Sequence, residues 1–423
     1  MGFALPRPRY KYAQPGLLHS VWMNPRVLPD LWTFLTARFF VSLAVQIQGM
    51  VACWQVYEIT KQPLYLGFLG LAEVIPNITV ALYAGHVADR LERRLLAIGA
   101  VLTIALAIFG MAVGTFLNPG RNPLLWVLYG MMALGGVGRA FYGPSVFGLL
   151  SQICPRELLP RATAVNTTTW QTAAIVGPIL GGWLYVQLHA GATYAASCML
   201  LLLATILFYS IKSRSETRVP TVSVRESIME GLRYVFNHQI ILAAMSLDLF
   251  GVLFGGAVAL LPIFTDEIFH RGPEALGVLR AAPSIGAFLT AAYLTRHPLK
   301  RKAGATFMIA VAGFGACMIA FGLSRDFYLS MAVLALSGMF DAVSIYVRST
   351  IYQLHTPDDM KGRVASVNSI FISSSNEIGE FESGVTAKLM GTVRSVIFGG
   401  CATLFVVATT AIKAPKLRTL DLE

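Results

Sequence analysis

Charged side chains interrupt several long apolar stretches of this sequence, and they are the residues best suited to carry out chemistry. If those stretches lie in a lipid bilayer, each charge near its centre costs about 2.5–3.5 kcal/mol on insertion scales and normally faces a partner or a water-filled cavity. Carboxylates in such a setting can carry protons, and arginines can bind anions or neutralise carboxylates. The residues concerned are Arg38, Glu73, Arg139, Asp248, Arg280, Asp341, Arg348, Glu377, Glu380 and Glu382.

Two of these carboxylates share one face of a helix. Glu377 and Glu380 are three residues apart, so each disfavours ionisation of the other, which suits groups that take up and release protons. Glu382 lies off that face. Glu73 and Asp248 are single carboxylates in otherwise apolar segments. The predicted proton carriers are Glu377, Glu380, Glu73, Asp248 and Asp341.

Polar residues near the carboxylates are candidates for the wall of a substrate cavity. Arg139 follows a glycine-rich run, residues 135–138, which leaves space for a cleft. It binds an anionic group, neutralises a carboxylate or forms a structural salt bridge. Arg348 is seven residues after Asp341, so both lie on one helix face and can line one cavity without pairing directly. The predicted cavity residues are Arg139, Arg348, Gln46, Gln48, Asn166 and Asn368.

The composition of the chain indicates the class of protein that positions these residues. The chain has 423 residues, of which 55% are hydrophobic and 13% are charged, and its formal net charge is +11. About a quarter of the residues of a soluble domain are charged, so this chain has too little polar surface to face water. Its basic residues lie between apolar runs rather than in one cluster, which argues against nucleic-acid binding.

Apolar stretches long enough to cross a membrane recur along the whole chain. A hydrocarbon core of ~30 Å needs about 20 apolar residues of helix. We therefore predict an all-α membrane protein with twelve transmembrane helices. Their predicted ranges are 31–57, 64–88, 95–117, 123–151, 162–188, 191–212, 239–265, 274–296, 304–324, 327–354, 363–390 and 393–413.

A basic linker separates two groups of six predicted helices. In residues 213–238, Val224, Ile228, Leu232 and Val235 recur at helical spacing, which predicts an amphipathic helix with its apolar stripe against a membrane surface. Most of the Lys and Arg residues fall in turns on the same side of the membrane as the N-terminus. Because basic turns are usually cytoplasmic, both termini are predicted to be cytoplasmic. The predicted organisation is an N-terminal segment (1–30), a six-helix bundle (31–212), the linker (213–238), a second six-helix bundle (239–413) and a tail (414–423).

The two predicted bundles repeat some of the same residues. Pro63-x-x-Leu66-Gly67 recurs 210 residues later. Several matches in one register indicate a duplicated six-helix unit, and two parallel repeats around a midplane site are typical of a secondary transporter. The residues that match at an offset of 202 are Pro155 and Pro357, Arg161 and Arg363, Val165 and Val367, Asn166 and Asn368, Gly177 and Gly379, and Gly182 and Gly384.

The turn after the second predicted helix carries the most informative motif. Its glycine permits close helix approach, its aspartate can meet the positive N-terminus of another helix, and its arginines anchor the cytoplasmic side. The motif reads Gly85-His-Val-Ala-Asp89-Arg90-Leu-Glu-Arg93-Arg94. It resembles the signature of the major facilitator superfamily, Gly-x-x-x-Asp-Arg-x-x-Arg-Arg/Lys. With residues 231–236 and 356–363, the chain resembles the bacterial group that contains the enterobactin exporter and other drug or secreted-metabolite exporters.

This resemblance implies a major facilitator fold with two pseudo-symmetric six-helix bundles and a conformational latch. In the latch, Asp89 engages the start of the eleventh helix near Lys361 and Arg363 and stabilises the outward-open state. A carboxylate at a helix N-terminus contributes about 0.3–1 kcal/mol when exposed, so the latch biases an equilibrium without locking it. The latch residues implied are Gly85, Asp89, Arg90, Arg93 and Arg94.

The fifth predicted helix contains a second motif, Gly177-Pro178-Ile-Leu-Gly181-Gly182, which resembles the antiporter motif of exporters in this superfamily. Proline removes one backbone hydrogen bond and glycines allow close packing, so the motif is either a coupling element or a structural bend. Many proton-coupled exporters of the superfamily carry an acidic residue in the first helix. This chain has Gln46 and Gln48 there, so the resemblance does not assign the coupling site.

Several other function classes lack the residues they need. The sequence has no GxxxxGK[ST] loop, so an ion gradient is the predicted energy source. It has no HExxH and no GxSxG motif, which argues against hydrolysis. The cysteines are scattered and read as small core residues. They are Cys53, Cys154, Cys198, Cys317 and Cys401. We predict no cofactor, no metal site and no enzymatic activity.

The sequence therefore predicts a monomeric, multi-pass transporter of the cytoplasmic (inner) membrane. We expect it to export an amphipathic small organic molecule, such as a drug, siderophore or secreted metabolite, by alternating access and proton antiport. Its predicted partners are that substrate, protons and membrane lipids, and no nucleic acid. An importer or lysophospholipid flippase on the same fold, and a non-transporting membrane receptor, remain open as alternatives.

Overall fold

The computed structural model describes residues 28–118, 120–155, 157–212, 224–299, 302–357 and 360–421. Within these ranges, the side chains of residues 82, 85, 86, 88–90, 224–228, 366, 369, 370, 373, 374 and 377 lie outside the description. The predicted latch residues Gly85, Asp89 and Arg90 and the predicted proton carrier Glu377 are among them.

The described residues form long helices joined by short turns. The first set is α1 (Pro29–Thr60), α2 (Pro63–Arg90), α3 (Arg93–Leu117), α4 (Arg121–Ile153) and α5 (Leu159–Ser210), followed by a shorter α6 (Val224–Asn237). The second set is α7 (Gln239–Phe254), α8 (Pro273–Arg296), α9 (Ala303–Leu323), α10 (Phe327–His355), α11 (Lys361–Met390) and α12 (Thr392–Lys413). After α7 the chain continues through a 3-10 turn (Ala257–Leu260), one turn of α-helix (Leu261–Ile263) and a π-helical turn (Phe264–Ile268).

Helix α5 contains two membrane-length arms. His189 has left-handed backbone angles, with φ 59° and ψ 174°, and breaks the helix into residues 159–188 and 190–210. Ten helices in the described part of the chain are long and apolar enough to cross a membrane. Helix α5 counts once among them, and α11, which carries Glu380 and Glu382, is not included. The predicted all-α membrane fold is confirmed.

Helices pack closely within each set. In the first set, α1 and α3 pack against α5, and α4 packs against α2 and α3. In the second set, α8 packs against α10, α9 packs against α10 and α12, and α7 packs against α11 and α12. Small residues make this possible. A Cβ atom on Gly338 of α10 would lie only 1.9 Å from the carbonyl oxygen of Pro283 in α8.

Two helix pairs join the first set to the second, and their close contacts lie toward one end. Helix α2 packs against α11, and α5 packs against α8. A Cβ atom on Gly67 would lie 3.0 Å from Cα of Phe381, and one on Gly182 would lie 2.4 Å from the carbonyl oxygen of Pro273. We call this end, with turns 61–62 and 269–272, the closed end. The other end, where α2, α4, α8 and α10 end, is the basic end.

Helix α5 changes its environment between the two ends. On the basic-end side, Thr163, Ala164, Thr167 and Thr168 are exposed and Trp170 is 48% exposed. Thr163 and Thr167 are four residues apart, as are Ala164 and Thr168, so the exposed positions form one broad side of the helix. From residue 173 to 182, the glycines and alanines of α5 are buried. Helix α5 therefore has one exposed side near the basic end, and further along it enters the contact between the two sets.

The linker helix α6 packs on protein. Val235 is fully buried in a cluster with residues of α7, α10 and α11, so the prediction that the apolar stripe faces a membrane surface is wrong at this residue. The start of α11 offered the stripe a protein surface instead. A Cβ atom on Gly231 would lie 2.9 Å from the carbonyl oxygen of Arg363. Arg363 Nη1 also lies 2.5 Å from Glu230 Oε2.

Four of the five cysteines are buried and Cys401 is exposed. Burial raises the pKa of the Cys154 thiol, in the turn after α4, to about 11. A thiol with this pKa stays protonated at neutral pH and is a poor nucleophile. Cys154 therefore acts as a small packing residue.

Candidate transport site

A cluster of polar and charged side chains lies where helices of the two sets meet. Glu73 of α2 forms an ion pair with Arg139 of α4, and Arg139 Nη2 donates a hydrogen bond of 3.2 Å to Gln48 Oε1 of α1. From the second set, Arg280 of α8 and Glu380 of α11 lie within electrostatic range of each other, and Glu380 also lies within that range of Glu73. We call these five residues the central cluster. It combines two carboxylates with two guanidinium groups.

The glycine-rich run before Arg139 brings α4 against α2. A Cβ atom on Gly136 would lie 2.1 Å from the carbonyl oxygen of Glu73, so only glycine allows this approach. Arg139 lies about one turn further along and reaches the Glu73 carboxylate. The ion pair with Glu73 fits two of the three roles that the sequence leaves open for Arg139, neutralisation of a carboxylate and a structural salt bridge.

Gln48 fixes the orientation of Arg139. Its side chain is 1% exposed, and its Nε2 donates to the sulfur atoms of Met132 at 2.9 Å and Met111 at 3.7 Å. The amide oxygen is thereby directed at Arg139. Gln46 lies elsewhere, because its Cβ packs against Gly177 of α5.

Arg280 and Glu380 depend on the contact between the two sets of helices. Arg280 Nη1 lies 3.5 Å from the carbonyl oxygen of Gly49 in α1, beside the Cys53 thiol. The backbone of Glu380 lies against α2, where a Cβ atom on Gly67 would be 3.3 Å from its carbonyl oxygen. Any rotation of one set against the other therefore moves these two side chains relative to Glu73 and Arg139.

A second charged group lies inside the second set of helices. Arg348 Nη1 of α10 forms an ion pair with Asp248 Oδ2 of α7, and both residues are buried, at 5% and 7% exposure. Asp341 and Asp248 line a small cavity of about 10 Å³ together with Ser344, enough for about one water molecule. The sequence places Asp341 and Arg348 on one helix face but gives no sign that the partner of Arg348 is Asp248.

The motif in α5 packs this helix onto both sets. Gly177 lies against Gln46 of α1, and on the other side Pro178 and Gly182 contact α8. A Cβ atom on Gly277 of α8 would lie 2.3 Å from the carbonyl oxygen of Pro178. The closed end therefore depends on the absence of side chains at these positions.

Replacing Gly277 with Ala is expected to shift the protein toward opening at the closed end. Overpacking of this kind typically costs about 1–3 kcal/mol, and separating α5 from α8 relieves it. Spin labels on the exposed residues Gln62 and Arg325, in turns of the two sets at this end, should report longer distances by electron paramagnetic resonance. Gly130→Ala is the matched control, because a Cβ atom there meets nothing within 4 Å. An unchanged distance distribution in Gly277→Ala would contradict the expectation.

A network that sequence reasoning missed also joins the two sets at the closed end. Tyr57 Oη of α1 donates to Asp266 Oδ2 at 2.8 Å and to Glu267 Oε1 at 3.2 Å, and Lys61 Nζ lies 2.6 Å from Asp266 Oδ2. The two carboxylates lie on the π-helical turn after α7. The two adjacent acidic residues at the end of an apolar span could have indicated this network from the sequence. Their partners, about 200 residues earlier, were not visible in the sequence.

The remaining predicted site residues lie nearer the basic end, outside the central cluster. Arg94 Nη1 donates to the carbonyl oxygen of Ile211 at 2.6 Å, and Arg93 packs against Gly148 of α4. These two members of the predicted latch therefore contact the first set of helices. Asn166 and Asn368 are half-buried, on α5 and α11.

Comparisons with known proteins agree with this architecture. Residues 24–423 match the transmembrane secretion effector family. The multidrug efflux pump Tap of Mycolicibacterium fortuitum is 25% identical over 393 residues, which cover 87% of this chain and 91% of that protein. The enterobactin exporter EntS of Shigella flexneri is 22% identical over 379 residues, which cover 89% and 90%.

A solved structure shares the fold. It is that of a bacterial homologue of the human lysosomal transporter Spinster, in an inward-facing and unoccupied conformation. It matches with a TM-score of 0.66 at 12% identity, over 92% of this chain and 96% of that one. With the helices, the cluster between the two sets and the family match in agreement, this chain belongs to the transmembrane secretion effector family of major facilitator transporters.

Proposed function

We propose that this protein exports an amphipathic small organic molecule across the bacterial inner membrane in exchange for protons. The observation that carries the proposal is the central cluster, in which titratable groups from both sets of helices interact at the contact that must change during transport. The names of Tap and EntS, a multidrug efflux pump and a siderophore exporter, support export rather than import.

The charge balance of the central cluster suggests how a proton couples to movement. With both carboxylates ionised, Glu73 and Glu380 balance Arg139 and Arg280. A proton on Glu380 removes one negative charge and weakens its attraction to Arg280. Because Glu380 lies on α11 against α2, this change alters the free energy of the contact between the sets. A proton can shift the equilibrium only through such a difference between the two states.

The exposed side of α5 near the basic end suits an amphipathic substrate. Thr163, Thr167 and Trp170 are exposed on α5, and they offer hydroxyl groups next to an aromatic surface. At the inner end of this stretch, Gln171 Nε2 donates to the carbonyl oxygen of Ser284 in α8 at 3.0 Å. We propose that substrate enters from the basic end, which is the cytoplasmic side in this proposal, and stops at this contact and the central cluster.

Alternating access would exchange the contacts at the two ends. In the present state, Tyr57 and Lys61 hold Asp266 and Glu267 at the closed end, and Glu230 of the linker helix holds Arg363 at the start of α11. In the outward-open state, we propose that the closed-end network separates and that the motif at residues 85–94 engages the start of α11. A single chain contains every element of this cycle, so we propose a monomeric transporter.

Transport into inside-out membrane vesicles tests the proposal. With the vesicle interior acidified, we expect accumulation of ethidium or of a catecholate siderophore, and its collapse when nigericin dissipates the pH gradient. Accumulation that ignores the gradient would refute proton coupling. Transport of a fluorescent lysophospholipid in place of both probes would favour the flippase alternative. A ligand-induced thermal shift without transport would favour the receptor.

A further inference from the structure

A groove runs along the outer surface of the molecule at its closed end, between α2 and α4. It consists of two adjoining cavities of about 520 and 540 Å³, which share the lining residues Tyr65, Asn122 and Leu125. Cavities of this size hold small-molecule ligands in many proteins. The contacts described above leave this groove without a role, and it lies at the opposite end of the molecule from the exposed part of α5.

The groove is polar at one end and aromatic at the other. Thr60, Arg121 and Asn122 line the part nearest the closed end, and Phe68, Trp126 and Tyr129 line the part that extends along α4 toward the membrane centre. Arg121 and Tyr129 are eight residues apart, which corresponds to about 12 Å along a helix. An amphiphile with an anionic head and an apolar tail matches this gradient.

Hydrogen bonds hold both ends of the groove in place. Arg121 Nη2 donates to the carbonyl oxygen of Thr60 at 3.1 Å, and Tyr129 Oη donates to the carbonyl oxygen of Tyr65 at 3.0 Å. A guanidinium group has five N–H donors, so this anchor leaves others for the oxygens of a phosphate. No carboxylate is among the residues that line either cavity.

The aromatic part of the groove is exposed on the outer surface of the molecule. Trp126 is 76% exposed and Phe68 is 40% exposed. At the same level, the Phe68 ring lies 5.6 Å from the Phe381 ring of α11, where the two sets of helices are in contact. A molecule in the groove therefore reaches it from the surrounding bilayer.

We infer that the α2–α4 groove binds an anionic phospholipid of the membrane leaflet at the closed end. The phosphate lies against Arg121 and Asn122, and one acyl chain lies along Phe68, Trp126 and Tyr129. Arginines at the ends of transmembrane helices attract anionic headgroups electrostatically, and the fixed groove adds contact area for the chain. This inference does not depend on the direction of transport or on proton coupling.

Quenching of Trp126 fluorescence tests this site directly. The protein is placed in nanodiscs of phosphatidylcholine that contain either dibrominated phosphatidylglycerol or dibrominated phosphatidylcholine at the same mole fraction. The difference between the wild type and Trp126→Phe gives the Trp126 signal. We expect the brominated phosphatidylglycerol to quench it with an apparent affinity about fivefold higher, the effect expected of one arginine near an anionic headgroup.

Variants of two arginines distinguish binding in the groove from a general effect of surface charge. In Arg121→Gln the preference for phosphatidylglycerol should disappear. In Arg394→Gln it should remain, because Arg394 is an exposed arginine near the same end, at the start of α12. Arg121→Lys keeps the charge but loses the planar guanidinium group, so it should keep part of the preference for phosphatidylglycerol. This result would show that the position tolerates substitution. Equal quenching by the two lipids in the wild type, or equal loss in both Gln variants, would overturn the inference.

Discussion

Replacing Glu380 with Gln is expected to abolish the response of transport to a pH gradient. The substitution keeps the size and hydrogen-bonding capacity of the side chain but fixes its charge at zero, so the attraction to Arg280 no longer depends on a proton. Coupling free energies between sites are typically about 1–3 kcal/mol, so the gradient-driven rate in vesicles should fall by about 5- to 150-fold. Exchange of labelled for unlabelled substrate, which moves no net proton, should persist and shows that the variant is folded.

Glu382→Gln is the matched control for this experiment. Glu382 lies two residues further along α11, is partly buried like Glu380 and carries the same chemistry, but it points away from the face that carries Glu380. We expect gradient-driven transport by this variant to stay close to that of the wild type. If Glu382→Gln lost the response and Glu380→Gln kept it, the central cluster would not be the coupling site.

Replacing Arg348 with Met is expected to destabilise the protein strongly. The variant leaves the Asp248 carboxylate buried without its partner, and removal of one member of a buried ion pair costs about 3–5 kcal/mol. Thermal unfolding in detergent should show a large fall in the midpoint temperature. The double variant Arg348→Met with Asp248→Leu should recover most of it, because neither side chain then carries a buried charge.

An exposed ion pair gives the control for this prediction. Lys61 and Asp266 form a pair whose side chains are 54% and 38% exposed. Exposed pairs contribute about 0–1 kcal/mol, so Lys61→Met should change the midpoint little. If Arg348→Met were as mild as Lys61→Met, or if the double variant were less stable than Arg348→Met alone, Arg348 and Asp248 would not be neutralising each other as a buried pair.

Most elements of the fold follow from the sequence. The predicted helix 31–57 corresponds to Pro29–Thr60, and 304–324 corresponds to Ala303–Leu323. The break between 162–188 and 191–212 coincides with the left-handed residue His189. In each case an apolar run of membrane length ends at polar residues, so the residues of that segment alone indicate where the helix ends. The linker helix was predicted in the right place, but its surroundings were not, because amphipathic spacing identifies an apolar face without identifying what covers it.

The pairing of residues in the candidate site did not follow from the sequence. The sequence identified Glu73, Arg139, Asp248, Arg348 and Glu380 as residues that need a partner, but it did not assign the partners. Arg139 and Glu73 are 66 residues apart, and their pairing depends on how closely Gly136 lets α4 approach α2. Of the five predicted proton carriers, the four whose side chains the structure describes lie in three environments. Glu73 and Asp248 are paired with arginines, Asp341 lines a small cavity, and Glu380 lies at the contact between the two sets of helices.

The sequence by itself determined that this chain is a helical membrane protein, which of its charges lie in apolar segments and where its family motifs stand. These properties are local, because the cost of exposing a polar group to lipid depends on the residues within one helix. Only the tertiary structure decided which charges neutralise each other, which end of the molecule is closed and where a groove lies on its surface. Those outcomes depend on how distant helices cross, and the crossing is fixed by contacts between residues that no local pattern relates.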